Sequence, residues 1–223
     1  MGTEDVVSGL GLRMSDLFQH HRNGGGGRGA LVPPDNPATA QPCTLQAYAY
    51  AKQLRVEHLK KLGLSDIHYQ GRPAVRIPYK NTDDEEVAVH FRMALDKSEG
   101  DRFRWRSGDK PTLYGLWLLD RMKKAKYAVL VEGESDCHTL WQHGVPALGV
   151  PGASVWREEW ATYLEGFEKV YAVIEPDRGG EALHGKLSAS SVRDHIISSR
   201  VLRCSPISFW TGAMRSSENL PGC

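Results

Sequence analysis

The sequence predicts an α/β protein, a mainly parallel sheet flanked by helices and preceded by a smaller basic α+β subdomain. Three observations carry this. From Tyr127 onward "YAVLVEG", "SDCHTLWQHG", "VPALGVPG", "WREEWATYLEGF", "KVYAVIEPD" and "RGGEALHGKL" alternate strand and helix texture, and repeated β-α-β order produces parallel sheets. Before it, "PAVRIPY" and "EVAVHFRMAL" alternate apolar and polar residues around the polar turn "KNTDDEE", the pattern of a β-hairpin. Charge divides at the same place: Arg72 to Lys126 carries thirteen Lys/Arg against nine Asp/Glu, whereas Tyr127 to Gly185 carries three against ten. A basic segment beside an acidic one suits either a polyanion gripped by the first and a cation held by the second, or two ordinary solvated faces.

Taken in order, residues 1–42 include "NGGGGRGALVPPDNPATAQP", rich in Gly and Pro without periodicity, and read as a flexible leader. The basic subdomain is expected over 43–126. It opens with "TLQAYAYAKQLRVEHLKKLGL", two short helices broken near Arg55 and stopped by Gly63. The hairpin follows, then a short strand in "RFRWR", a turn at Ser107-Gly108-Asp109, and a helix from about Leu116 to Lys124. The β-α-β region is expected over 127–190, with the helix after "VLVEG" running from about Cys137 to His143. Residues 191–223, rich in Ser and weakly patterned, are left unassigned, as a disordered or truncated tail.

With 40% hydrophobic and 25% charged residues the chain is ordinary for a globular protein. The N-terminus has no basic segment followed by an apolar one, and no apolar run approaches about 18 residues, so a cytoplasmic protein without membrane contact is expected. Cys43, Cys137, Cys204 and Cys223 form no CxxC pair, so no zinc is expected; Cys137 reads as a small apolar helix residue.

The chemistry lies at the acidic strand ends. In "AVIEPDRGG" Glu175 and Asp177 are two apart and point to one side if the strand persists through Pro176. Such a pair suits magnesium, which takes one or two protein carboxylates and leaves the other positions to water and phosphate oxygens. Glu132 follows an apolar strand, precedes a glycine, and would face that pair across the strand ends of one sheet, where ligands gather. Three carboxylates there repel one another unless a metal or a proton compensates them. Asp136 reads as a helix cap, Glu134 as solvated charge, and His138 and His143, five apart, as surface or interface residues. No triad is readable around Ser135 or Ser154.

"VLVEGESD", "VPALGVPGA" and "VYAVIEPDRGGEAL" together resemble a TOPRIM domain, the Mg-dependent fold shared by bacterial-type primases, topoisomerases and some nucleases. The resemblance implies that Glu132 is the acid/base glutamate or a metal ligand, that Glu175 and Asp177 bind metal, and that Asp136 belongs to the same catalytic motif; Glu175 stands where the family has Asp. "GRPAVRIPYKNTDDEEVAVHFRMAL" with "RFRWRSGDKPTLYGL" resembles the region preceding TOPRIM in bacterial-type DNA primases, especially those of phages and mobile elements. That match spans about residues 44–186, and "LYGL" ahead of "VEGESD" is its most specific part. It implies Arg76, Arg92, Arg104 and Lys110, and more weakly Arg72, as residues that bind nucleic acid or nucleotide. Neither the family's zinc ribbon nor its helicase portion is readable in the chain, which implies a stripped-down core.

In "RFRWR" the arginines at 102, 104 and 106 would share one strand face, for phosphates or simply for solvent, with Phe103 and Trp105 turned to the core. The resemblance thus implies a Mg²⁺-dependent primase (Mn²⁺ substituting) of the DNA-directed RNA polymerase type, making short primers by nucleotidyl transfer. Its implied partners are a single-stranded DNA template, nucleoside triphosphates and a replicative helicase. A TOPRIM nuclease and a non-catalytic DNA-binding fragment remain as rivals.

Overall fold

The computed structural model describes residues 42–95, 102–152 and 155–200, so the leader before Pro42 and the tail beyond Arg200 lie outside the described residues. Two helices open the described chain. Helix α1 (Leu45–Lys52) starts at Thr44, whose Oγ1 accepts from the Ala47 N–H at 3.1 Å, and stops at Gln53 in the left-handed region (φ 55°). Helix α2 (Val56–Lys61) starts after Arg55, where the sequence places the break.

Four strands follow in a meander: β1 (Ser65–Tyr69), β2 (Arg72–Lys80), β3 (Glu86–Arg92) and β4 (Phe103–Trp105), each antiparallel to the next. The anticipated hairpin is β2–β3. Its turn is built by Asn81, whose Oδ1 accepts from the N–H groups of Asp83 and Glu85. β1 is an addition; its five residues are mostly exposed, and its alternation is confined to Ile67 and Tyr69, which pack against Ala74, Val89 and Phe91. Period-two alternation gives the sheet two faces. Val75, Ile77, Tyr79 and Ala88 face inward to the rest of the protein, and Ala74, Val89, Phe91 and Met93 pack together on the outer face.

A 3₁₀ turn (Leu116–Leu118) and helix α3 (Leu119–Ala125) lead to the second sheet. Its strands are β5 (Tyr127–Glu132), β6 (Ala147–Val150), β7 (Lys169–Ile174) and β8 (Ile196–Arg200), parallel throughout in the order β6-β5-β7-β8. Helix α4 (Glu134–Gln142) joins β5 to β6 and helix α6 (Arg178–Ala189) follows β7. Between β6 and β7 the expected long helix reduces to a 3₁₀ turn (Glu158–Trp160) and one turn of helix, α5 (Ala161–Leu164). Strand β8 lies in the stretch left unassigned, so the sheet runs past residue 190; "IISSR" is too short and too polar to announce a strand by itself.

The two halves share one core. Tyr48, Leu59, Val75, Ile77 and Tyr79 from the basic half pack in one cluster with Val129, Val131, Cys137 and Ala147 from the acidic half. Tyr114 adds a backbone stitch: its N–H donates to Gly149 O at 2.8 Å and its O accepts from Gly149 N at 2.9 Å, tying "LYGL" to strand β6. The opposite face of the parallel sheet is covered by Leu116, Met122, Trp160, Leu183 and Leu187.

Candidate functional site

Strands β5 and β7 are hydrogen-bonded parallel neighbours, so their carboxyl ends open on the same edge. Glu132 is the last residue of β5, and its Oε1 is buried without any hydrogen-bond donor. Burial, then the charges of Glu175, Asp177 and Asp136, push its carboxyl up to about 7. The structure therefore brings all four predicted acids into one field. It does not make them a finished ligand set: among the described residues no group of three or more His, Cys, Asp or Glu is placed to hold a metal. Magnesium carried in on phosphate oxygens needs only one or two protein carboxylates. The undonated oxygen of Glu132, beside the exposed Glu175, fits that requirement.

Glu175 and Asp177 do not share one strand face. Strand β7 ends at Ile174, and Asp177 is the N-cap of α6: its Oδ1 accepts from the N–H groups of Gly179 and Gly180, both at 3.0 Å. The proline between them and the free N–H groups at the start of α6 turn the aspartate to the helix. Asp177→Ala is expected to cost about 1 kcal/mol of stability, whereas Asp177→Asn keeps the cap; urea melts of the two variants check this.

Three expectations for α4 fail. Asp136 is no cap, because the helix begins at Glu134 with Gly133 as N-cap and no side-chain cap bond. The Asp136 carboxyl is pushed up to about 7, first by burial; Lys52 pulls it down, Glu175 and Glu134 push it up, and Arg92 pulls it down. Glu134 is not solvated: it is 5% exposed and accepts from Tyr79 Oη and His90 Nδ1, both at 2.6 Å. Burial alone would raise its pKa, but the His90 charge and the bonds from His90 and Tyr79 hold it down at about 2. His138 is likewise fully buried, between Tyr48 Oη (2.9 Å to Nδ1) and Tyr114 Oη (2.8 Å to Nε2). Burial pushes its pKa down to about 3, so the ring is neutral and bridges the two hydroxyls.

The predicted basic residues divide between the faces of the antiparallel sheet. Arg76, Phe91 and Arg104 stand in one cross-strand row, and Arg72 shares their parity on β2, so these arginines lie on the outer face. Arg76 pairs with Glu86, which also binds Arg106 at 3.2 Å. Arg102 lies over the Phe103 ring. Arg92 is on the inner face and only 5% exposed, between the Tyr48 and Phe103 rings, each centroid 5.0 Å from its guanidinium carbon. It is not the surface cation the sequence suggests, and its Nε is buried without a partner. Lys110 is exposed and lines an open cleft of about 610 Å³ with Asn81, Arg157, Trp160 and Tyr163. Lys52, which acts on Asp136, and the pair Tyr79 and His90 were not singled out from the sequence.

No family model matches the chain. The gene 57 protein of Mycobacterium phage D29 is 34% identical over 94 residues, 42% of this chain and 59% of that protein. Among solved structures, the zinc-binding and RNA polymerase domains of the Aquifex aeolicus primase superpose with a TM-score of 0.59 at 16% identity, over 75% of this chain and 52% of that one. The primase fragment of the bacteriophage T7 primase-helicase protein superposes at 0.57 and 18% identity, over 86% and 80%. The chain has the fold of a DnaG-type primase catalytic core. It spans about half of the Aquifex chain and 59% of the phage D29 protein. Within this primase fold the antiparallel sheet forms the basic half and the parallel sheet carries the acidic edge. Among the described residues no helix is long and apolar enough to cross a membrane.

Proposed function

We propose that the chain is the Mg²⁺-dependent catalytic core of a DNA primase, joining nucleoside triphosphates into short primers on single-stranded DNA. One observation carries the reading: in a DnaG-type primase fold, the undonated carboxyl of Glu132 ends a parallel strand beside Glu175, Asp177 and Asp136. Glu175 and Asp177 would hold magnesium, with Glu132 as a third ligand or as the proton acceptor. When bound, the ion supplies charge stabilisation to the triphosphate and its pyrophosphate leaving group. In the reaction a 3′-hydroxyl attacks the α-phosphate of the incoming nucleotide. As proton acceptor Glu132 is suited to working near neutral pH, its carboxyl being raised to about 7 in the metal-free protein. The exposed Lys110 is the side chain we assign to the triphosphate. Arg72, Arg76 and Arg104, on the outer face, are assigned to the template backbone, where arginines match phosphates in pairs of bonds. A replicative helicase would bring the template.

Incubating the full chain with Mg²⁺, labelled single-stranded DNA and nucleoside triphosphates tests this. Primers complementary to the template, absent with EDTA, are the expected result. Shortened template strands would support a TOPRIM nuclease instead, and DNA binding with neither product would leave a non-catalytic binding protein.

A further inference from the structure

We propose that Tyr79, His90 and Glu134 form a clamp between the two sheets that positions Glu132 and Asp136, making all three positioning residues of the proposed nucleotidyl transfer. This rests on the primase reading above. The clamp joins three elements: Tyr79 on β2 and His90 on β3 both reach Glu134 Oε1 at 2.6 Å, on the first turn of α4. Both donors come from the antiparallel sheet, 55 and 44 residues earlier in the chain. All three side chains are buried, at 0%, 9% and 5% exposure, so their bonds act in a low-dielectric setting where geometry is held tightly.

The donors are themselves fixed. The His90 ring stacks on Trp105 at 4.1 Å and 13°, and on Phe103 at 5.1 Å and 21°. Tyr79 meets Trp105 and Tyr114 with centroids at 4.8 Å, and burial keeps its hydroxyl protonated, so it donates. One turn along α4, His138 is pinned between Tyr48 and Tyr114. Helix α4 is thus held at two successive turns by polar bonds to the preceding half of the chain.

Packing alone does not call for a carboxylate here. A buried charge gains little stability over a well-packed apolar group, and a hydrophobic residue of similar volume would close the same core. What the carboxylate adds is direction. Glu134 lies two residues after Glu132 and two before Asp136, and α4 has no side-chain N-cap to fix its first turn. The clamp supplies that fixing from the opposite sheet, so rotation of the turn, which would carry both acidic side chains with it, costs two short buried hydrogen bonds.

The test uses the full chain with Tyr79→Phe and His90→Leu, each removing one donor while keeping most of the side-chain volume. Amide hydrogen exchange is followed across Gly133–Cys137 and across the antiparallel strands, and primer synthesis is resolved into kcat and KM well below either variant's melting temperature. The expected result is exchange at least tenfold faster in Gly133–Cys137 with the antiparallel strands unchanged, and kcat at least tenfold lower with the template KM within twofold of wild type. Unchanged exchange at Gly133–Cys137 in both variants overturns the clamp. Faster exchange with wild-type kcat overturns its positioning role, because a merely structural bond would move stability and exchange alone. If the wild-type chain makes no primers, the primase reading falls by itself and the exchange measurement still decides the clamp.

Discussion

Replacing Glu132 with Gln is expected to lower Mg²⁺-dependent primer synthesis by about 10²-fold to 10⁴-fold, the range a general acid or base contributes, while the fold persists. The wild-type rate should climb with pH as the carboxyl ionises, with a midpoint below the metal-free value of about 7 because bound Mg²⁺ favours the charged form, and in Glu132→Gln that slope should vanish. Stability runs the other way. The folded carboxyl binds its proton more tightly than the ordinary value of 4.5 allows, so its contribution is fully present below about 4.5 and is lost as pH rises through about 7. Above 7 the folded state holds a charge that burial and three neighbouring acids disfavour. Urea melts at pH 5 and pH 8 should therefore show the wild type losing stability across that window and Glu132→Gln losing less. Millimolar Mg²⁺ at pH 8 should restore part of the wild-type loss and less in the variant. A variant with wild-type rate and an unchanged pH profile would remove Glu132 from the chemistry.

The second large effect is expected from Gly180→Ala. A β-carbon at 180 would overlap the backbone oxygen of Glu175 and stand 2.7 Å from its nitrogen, so neither contact can be relieved by turning a flexible side chain. Helix α6 must then move off the end of β7, taking the Asp177 cap with it. Overpacking costs about 1–3 kcal/mol and more when backbone is the obstacle. About 3 kcal/mol corresponds to a melting temperature lower by about 6–12 °C in a chain of this size. The same displacement shifts Glu175 and Asp177, so activity should fall further than stability. Gly185 on the same helix is the control: a β-carbon there meets nothing within 4 Å, and Gly185→Ala should be neutral or stabilise by up to about 1 kcal/mol. Thermal melts of both variants separate the two sites.

The hairpin, the two opening helices and the β-α-β alternation were legible because each has a periodicity that one segment carries by itself. Strand β8 was not, since "IISSR" becomes a strand only by pairing with β7, a long-range event with no local signature. The site was legible at Glu132, where an apolar strand runs into an acid and a glycine. It was misread at Glu134 because the helix was started at Cys137. Begun at Gly133, the helix shows Glu134, Cys137, His138 and Trp141 at i, i+3, i+4 and i+7, an inward stripe. Two polar members of a stripe that also holds a cysteine and a tryptophan are marked as buried, and buried polar groups need partners. What no spacing shows is which partners: Tyr79 and His90 reach Glu134 only through the packing of two sheets. Arg92 was misread for a related reason, since parity was visible strand by strand but the register placing Arg76 and Arg104 in one row across Phe91, with Arg92 on the opposite face, was not.

The core that joins the halves has a consequence for how the chain is born. The antiparallel meander pairs strands that follow one another in sequence, so its contacts are local and can form early during synthesis. Its inner face, however, lays Val75, Ile77 and Tyr79 against Val129, Val131, Cys137 and Ala147, which leave the ribosome some fifty or more residues after Tyr79. Until they arrive, the first sheet exposes an apolar face around two unpaired donors, Tyr79 and His90. The nascent meander is thus a sticky intermediate whose own hydroxyl and imidazole wait for one carboxylate, so arrival of Glu134 joins the halves before β7 and α6 bring Glu175 and Asp177 to the acidic edge.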